Sequence, residues 1–182
     1  HLRALCTTLS GASRIRVLLT HHHGDHVAGA EKLAGLTGAT VHGPPSTPAL
    51  LLEAGQEIHT DAGTLVTLPT PGHTRDHLSF HWLEGGALFV GDLVLGRGNT
   101  TWLGEYPGCV GQYLASLDQV EELAPEILYP AHGNPIRDVS RVVDAYRRHR
   151  LERLKQLREA RDAHPEASPE ALLEVIYGGT LP

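Results

Sequence analysis

The stretch IRVLLTHHHGDH, residues 15–26, decides the fold of this chain. Its first five residues, apolar except for Arg16, predict a buried β-strand. At its C-terminal end the strand runs directly into a loop with four side chains that can bind a metal: His21, His23, Asp25 and His26. We expect a helix to follow over residues 27 to about 34, with Asp25 as its cap.

Three further turns carry a histidine or an aspartate directly after a predicted strand. They are His73 in TPGHT, Asp92 in VGD and His132 in PAHG. Because loops at strand ends converge on one edge of a sheet, we expect these side chains to meet the first four. Imidazole nitrogens and carboxylate oxygens are suitable ligands for Zn²⁺ and related ions. Seven ligands are too many for one tetrahedral ion, and they suit two ions about 3.5–4 Å apart that share a carboxylate and a hydroxide.

The remaining pattern predicts an α/β domain followed by helices. We expect strands at 40–42, 63–68, 77–83, 87–90 and 127–129, and a helix over 110–123. A long arginine-rich helix is predicted from 138 to about 163, and Ser168 with Pro169 begins another in good capping form. The predicted domains are therefore 1–135, the catalytic unit, and 136–182, a C-terminal helical segment.

Composition excludes some classes of protein. The chain has 182 residues, of which 41% are hydrophobic, and this is enough for one domain with a substantial core. The net charge of −6 does not favour a nucleic-acid binder held by bulk charge, although residues 137–161 hold nine basic and only four acidic side chains. No apolar run is long enough to span a membrane, so we expect a cytoplasmic protein. The chain begins at His1 without any methionine, and we expect its true N-terminus to be missing.

Together these motifs resemble the metallo-β-lactamase superfamily over residues 15–135. The resemblance implies an αββα sandwich, here N-terminally truncated. It implies a first metal held by His21, His23 and His73, a second held by Asp25, His26 and His132, and Asp92 as the bridge between them. Antibiotic-hydrolysing members of the best-known type have a cysteine where this chain has Asp92, so the resemblance favours the glyoxalase II and nuclease side of the superfamily. The glutamate that flavodiiron oxidoreductases carry is replaced here by His23, which argues against redox chemistry.

Two stretches and the tail resemble a narrower group, the β-lactamase-like protein 2 proteins. They are TPGHTRDHLS at 70–79, VGDLVLGRGNTT at 90–101, and the tail with His149-Arg150 and EVIY at 174–177. Animal members of that group are single-strand-selective endoribonucleases, and many bacterial members are called hydrolases. The C-terminal segment would then be the start of a small winged-helix-like module.

The resemblance implies hydrolysis by a metal-bridging hydroxide, which Asp25 and Asp92 bind and orient. We expect zinc, with manganese or iron as alternatives. Candidate substrate contacts are Asn99 and Thr100, and also His77, which is otherwise a structural strand residue or a support for the ligands.

Three functions stay open at this point. The first is a phosphodiesterase for single-stranded RNA or DNA. It would be supported by Arg147, Arg148, Arg150, Arg153 and Arg158, unless these side chains pair with acids or form a solvated face. The second is a thioester or small-ester hydrolase of the glyoxalase II kind. The third is a metal-bound scaffold without activity. No membrane partner is expected, and a homodimer is left open.

Overall fold

In the computed structural model, which describes residues 2–178, two β-sheets form the centre of the molecule. The first contains three parallel strands in chain order, β1 (Arg16–Leu18), β2 (Thr40–Gly43) and β3 (Leu50–Leu51). The second contains five strands in chain order, β4 (Glu57–Thr60), β5 (Gly63–Pro69), β6 (Leu78–Trp82), β7 (Ala87–Gly91) and β8 (Ile127–Pro130). Strands β4 to β7 are antiparallel, whereas β8 returns parallel to β7.

The helices lie outside the sheets. They are α1 (Leu2–Thr8), α2 (Gly24–Val27), α3 (Ala30–Thr37), α4 (Cys109–Leu123), α5 (Val139–Ala163) and α6 (Pro169–Tyr177). Helix α3 contacts β2, and α4 contacts α5. Within residues 2–178, none of these helices is both long and apolar enough to cross a membrane.

Two apolar clusters hold the layers together. In the larger cluster Leu88 and Val90 of β7 pack against α4 and α5, where Leu117 and Val143 are fully buried. Each such side chain contributes about 1.5–3 kcal/mol through burial. In the smaller cluster Leu18 of β1 packs with side chains of the five-stranded sheet, namely Ile58, Leu65, Leu78 and Phe80. The predicted αββα arrangement is confirmed.

The helix predicted after the histidine run is wrong in its boundaries. Two short helices, α2 and α3, replace it, and Gly29 stands at the N-cap of the second. Asp25 lies within the first turn of α2 and caps nothing, because its carboxylate faces His132 instead. Three elements were not predicted: α1, β3 and β4. Strand β3 shows why: it has only two residues, both exposed, so it has no alternation of apolar and polar residues that would predict a strand.

The last helix, α6, begins where its cap predicts. Ser168 is the N-cap of α6, and its hydroxyl accepts a hydrogen bond of 3.3 Å from the Ala171 N–H. The first half of α5 shares the larger apolar cluster with β7, through Val143 and Tyr146. The domain boundary at residue 135 stays a prediction.

Candidate metal centre

The first group of candidate ligands consists of three histidine rings that point at one another. His23 Nδ1 lies 3.1 Å from His21 Nε2 and 2.9 Å from His73 Nε2. The other ring nitrogen of His73, Nδ1, is 2.9 Å from the Trp102 carbonyl oxygen, and it must carry a proton to donate there. Nε2 of a neutral His73 therefore offers a lone pair to the group, as a metal ligand must.

Electrostatics keep two of these rings, those of His21 and His23, uncharged. His21 is fully buried, and burial together with the neighbouring histidines holds its pKa far below the usual range. The same two causes lower the pKa of His23. Both nitrogen–nitrogen contacts use the single His23 Nδ1, which cannot serve two ring nitrogens well by one hydrogen bond. A cation among the three rings therefore fits this donor set better than hydrogen bonds do.

The second group lies beside the first and contains Asp25, His26 and His132. The Asp25 carboxylate oxygen Oδ2 is 3.1 Å from His132 Nε2 and 3.6 Å from His26 Nε2. Burial lowers the pKa of His26, but its contact with the Asp92 carboxylate outweighs burial and raises it overall. His26 Nε2 is buried without a hydrogen-bond partner, as is Oδ1 of Asp92. Orphaned buried polar atoms of this kind indicate a bound group that satisfies them.

Asp92 lies between the two groups, with one oxygen toward each. Its Oδ1 is 3.6 Å from both His26 Nε2 and His132 Nε2, and its Oδ2 is 3.7 Å from His73 Nε2. Burial raises the pKa of Asp92, whereas the surrounding histidines lower it further than burial raises it, so the carboxylate stays ionised. The structure thus brings all seven predicted side chains together, in sets that could hold metal. Their assignment as ligands stays a prediction.

His77 holds the backbone of Asp92 through a hydrogen bond. The ring is fully buried, and its Nε2 accepts a 3.2 Å hydrogen bond from the Asp92 backbone N–H. Nδ1 therefore carries the proton and donates to the Thr70 hydroxyl at 2.9 Å. Burial lowers the pKa of His77 to about 3. Both ring nitrogens are engaged and no ring surface is free, so the structure favours the supporting role over the predicted substrate contact.

The other two predicted substrate contacts, Asn99 and Thr100, lie exposed on the loop after Asp92, residues 93–102. The Thr100 hydroxyl accepts a hydrogen bond of 3.3 Å from Arg150. Their contact with substrate stays a prediction.

Two residues near the site were missed by sequence reasoning. The Trp102 ring is 58% exposed, and its centroid lies 6.2 Å from those of His23 and His73. Glu105 is the second: its carboxylate is 3.0 Å from His22 Nε2, and His22 stands outside the two groups. Their only sequence signal is their position shortly after Asp92.

An apolar cavity of about 490 Å³ opens beside the second group. His26 lines it together with side chains of five strands, including Leu18, Leu65 and Phe80. Phe89 and Tyr129 also line it, with their rings stacked at 5.1 Å.

Comparison with known proteins identifies the family of the chain. The family model described as metallo-beta-lactamase superfamily matches residues 15–60 and 46–132. The lactamase-like protein adaB of Aspergillus niger is 34% identical over 78% of this chain and 44% of its own length. The atrochrysone carboxyl ACP thioesterase of Aspergillus fumigatus is 33% identical over 77% of this chain and 34% of its own. The beta-lactamase-like protein 2 homolog of Caenorhabditis elegans is 29% identical over 88% of this chain and 56% of its own length.

Solved structures agree as well. A beta-lactamase domain protein from Burkholderia ambifaria superposes with a TM-score of 0.76 at 22% identity, over 98% of this chain and 68% of that one. TTHA1623, solved in a di-iron-bound form, superposes with a TM-score of 0.58 at 27% identity, over 75% of this chain and 78% of that one.

The chain therefore belongs to the metallo-beta-lactamase superfamily, whose members are largely hydrolytic metalloenzymes. It spans about half the length of the curated relatives it matches.

Proposed function

We propose that this member of the metallo-beta-lactamase superfamily is a two-metal hydrolase that cleaves acyl thioesters or esters. The observation that carries the proposal is the orientation of Asp92, whose two oxygens face different ligand groups. A carboxylate so placed suits a bridge between two cations. Bound there, two divalent cations supply Lewis-acid chemistry and a hydroxide nucleophile near neutral pH.

The chain's own residues prepare the centre for that chemistry. Trp102 fixes the His73 tautomer through its carbonyl, and His77 fixes the backbone of Asp92. Asp25 is the most exposed of the candidate ligands, at 60% of its side chain, so it stands where substrate arrives. We assign it the role of orienting the nucleophile together with Asp92.

Zinc is the metal we propose. Five of the seven candidate ligands are imidazoles and two are carboxylates, a set that suits zinc and also admits iron or manganese. The di-iron form of TTHA1623 illustrates that alternative in a similar fold.

Two features support a carbonyl substrate with an apolar acyl part. The apolar cavity beside His26 and the exposed Trp102 ring offer apolar surface on either side of the ligand groups. Apolar surface close to a few polar groups is typical of small-molecule sites. The name of the thioesterase relative agrees with this choice.

The basic helix α5 gives the nuclease alternative little support. Arg147 is already paired with three carboxylates, those of Asp118, Glu121 and Asp144, at 2.6–2.9 Å. Arg150 is turned toward the 93–102 loop, and Arg153 contacts Gln156 and the Tyr177 ring. Of the five arginines that could contact phosphate, Arg148 and Arg158 are exposed and take part in none of these contacts. Cytoplasmic location and a homodimer stay predictions.

One parallel assay tests the proposal. The protein is loaded with zinc or manganese and offered a series of acyl-thioesters and, separately, labelled single-stranded RNA. We expect thioester hydrolysis that Asp25→Ala abolishes and Asp61→Ala, on an exposed turn, leaves unchanged. RNA cleavage with intact thioesters would contradict the proposed substrate, especially if RNA binding weakened steeply with salt. Metal loading without hydrolysis of either substrate would indicate a scaffold.

A further inference from the structure

The 93–102 loop connects three of the candidate ligands through its backbone. It starts directly after Asp92, and its Gly96 N–H donates a 2.7 Å hydrogen bond to the carbonyl of His132. At its other end the Trp102 carbonyl accepts from His73 Nδ1 at 2.9 Å. The conformation of this loop therefore sets the orientation of His73 and the position of the His132 turn.

Side chains from two helices hold the loop in place. Tyr113 of α4 donates its hydroxyl proton to the Leu93 carbonyl at 2.9 Å. Tyr146 of α5 accepts from the Leu95 N–H at 3.0 Å. Arg150, four residues further along α5 and so on the same face, donates to the Thr101 carbonyl at 3.0 Å and to the Thr100 hydroxyl at 3.3 Å.

Arg150 differs from the neighbouring Arg147 in its polar partners, which are groups of the 93–102 loop and not carboxylates. Its side chain is partly buried, burial lowers its pKa, and its Nε has no hydrogen-bond partner. Among residues 2–178 it forms no ion pair with a carboxylate, whereas the neighbouring Arg147 contacts three. Its strongest polar contacts are with the loop. A charge-assisted hydrogen bond to a loop carbonyl is stronger than a neutral one and restricts the loop accordingly.

From these contacts we infer that Arg150 is a positioning residue for the metal centre. It holds the Thr101–Trp102 peptide, the Trp102 carbonyl holds the His73 ring, and His73 directs Nε2 at the first ligand group. The inference rests on the proposed metal centre, because His73 acts there as a ligand. It also gives α5, which sequence reasoning placed outside the catalytic unit, a direct part in building the site.

The test compares Arg150→Met with Arg148→Met in the full chain. Arg148 is exposed on the same helix, and within residues 2–178 its side chain hydrogen-bonds to the Asp144 carbonyl of its own helix, so it is the matched control. Zinc affinity is measured by chelator competition, and the melting temperature of the metal-free protein is measured beside it. Losing the direct partner of a ligand usually costs about 10–100-fold in metal affinity, and Arg150 acts one step further out, so we expect Arg150→Met to weaken zinc binding about 10-fold. Arg150→Lys restores part of it, since lysine can still donate to the Thr101 carbonyl.

A second readout does not require metal. In the metal-free protein, NMR of the His73 ring should show the proton on Nδ1 in wild type and in Arg148→Met, and a mixture of tautomers in Arg150→Met. Wild-type zinc affinity with an unchanged His73 tautomer in Arg150→Met would overturn the inference, even if its melting temperature fell. If Arg150→Met does not fold, the comparison of Arg150→Lys with wild type decides. If wild type itself binds no zinc, the proposed function fails, and the NMR comparison alone decides the role of Arg150.

Discussion

Replacing His77 with alanine removes the support beneath Asp92, and the structure gives the size of the effect. The ring is fully buried, so its loss leaves a cavity that costs about 3 kcal/mol, at the low end for aromatic side chains. The Asp92 N–H loses its partner, which costs about 1–3 kcal/mol more. Thr70 keeps its second hydrogen bond, to Ser79, and adds little. The expected loss in the free energy of unfolding is thus about 4–6 kcal/mol.

Urea unfolding of the metal-free protein at pH 7, followed by circular dichroism, measures this loss. His81→Ala is the matched control, since His81 lies on β6, which begins directly after His77, but is only partly buried. We expect it to cost about 1 kcal/mol or less. A loss of about 4–6 kcal/mol is a large part of the stability of a typical domain, and it could leave His77→Ala unfolded. We therefore measure His77→Gln as well, because its side chain is larger than that of alanine and keeps a polar group. Equal small losses for His77→Ala and His81→Ala would refute the supporting role.

The other predictions concern acidity, backbone strain and the mouth of the site. Because the pKa of folded His77 is about 3 and that of an unfolded histidine about 6.5, the unfolded chain binds the extra proton between these values, and stability rises with pH across that window. From pH 6.5 to pH 5 the metal-free protein should lose about 2 kcal/mol through this residue, and an equal pH dependence in His77→Gln, measured by urea unfolding, would contradict it. Gly91 has a φ of +50°, and a Cβ there would lie 2.6 Å from His77 Nε2, so Gly91→Ala should lower the melting temperature and weaken zinc binding. Gly111→Ala, in a helix with open space around it, should do neither, and equal behaviour of the two variants would rule out the steric argument. Trp102→Ala should raise KM for long-chain acyl-thioesters at least several-fold and leave stability within about 0.5 kcal/mol, because the ring is mostly exposed; an unchanged KM would exclude it from the acyl site.

Much of the candidate site could be predicted because the side chains that it brings together follow regular elements. Each of His73, Asp92 and His132 ends a strand or follows one closely, and strand ends of a sheet meet in space. The strand β7 and the cap at Ser168 could be predicted as well, because local burial and local hydrogen bonds produce them. Strand β1 forms where it was predicted but is not buried as predicted, since Arg16 is exposed and Val17 and Leu18 are only partly buried.

What escaped prediction depends on contacts that are distant in sequence. The hydrogen bond from Arg150 to Thr101 spans 49 residues and that from His73 to Trp102 spans 29, and neither has a local pattern. The break between α2 and α3 was also missed. The break falls at Ala28 and Gly29, the C-cap of α2 and the N-cap of α3, and glycine has a low helix propensity.

The number of zinc ions bound per chain tests the central claim most directly. It is measured by elemental analysis after equilibration with a slight excess of zinc and removal of the free metal. The two groups joined by Asp92 predict about two ions in wild type and in Asp61→Ala. Asp25→Ala, which removes a ligand from the second group alone, should retain about one. A single ion in wild type, or two ions held with unchanged affinity by Asp25→Ala, would contradict the account.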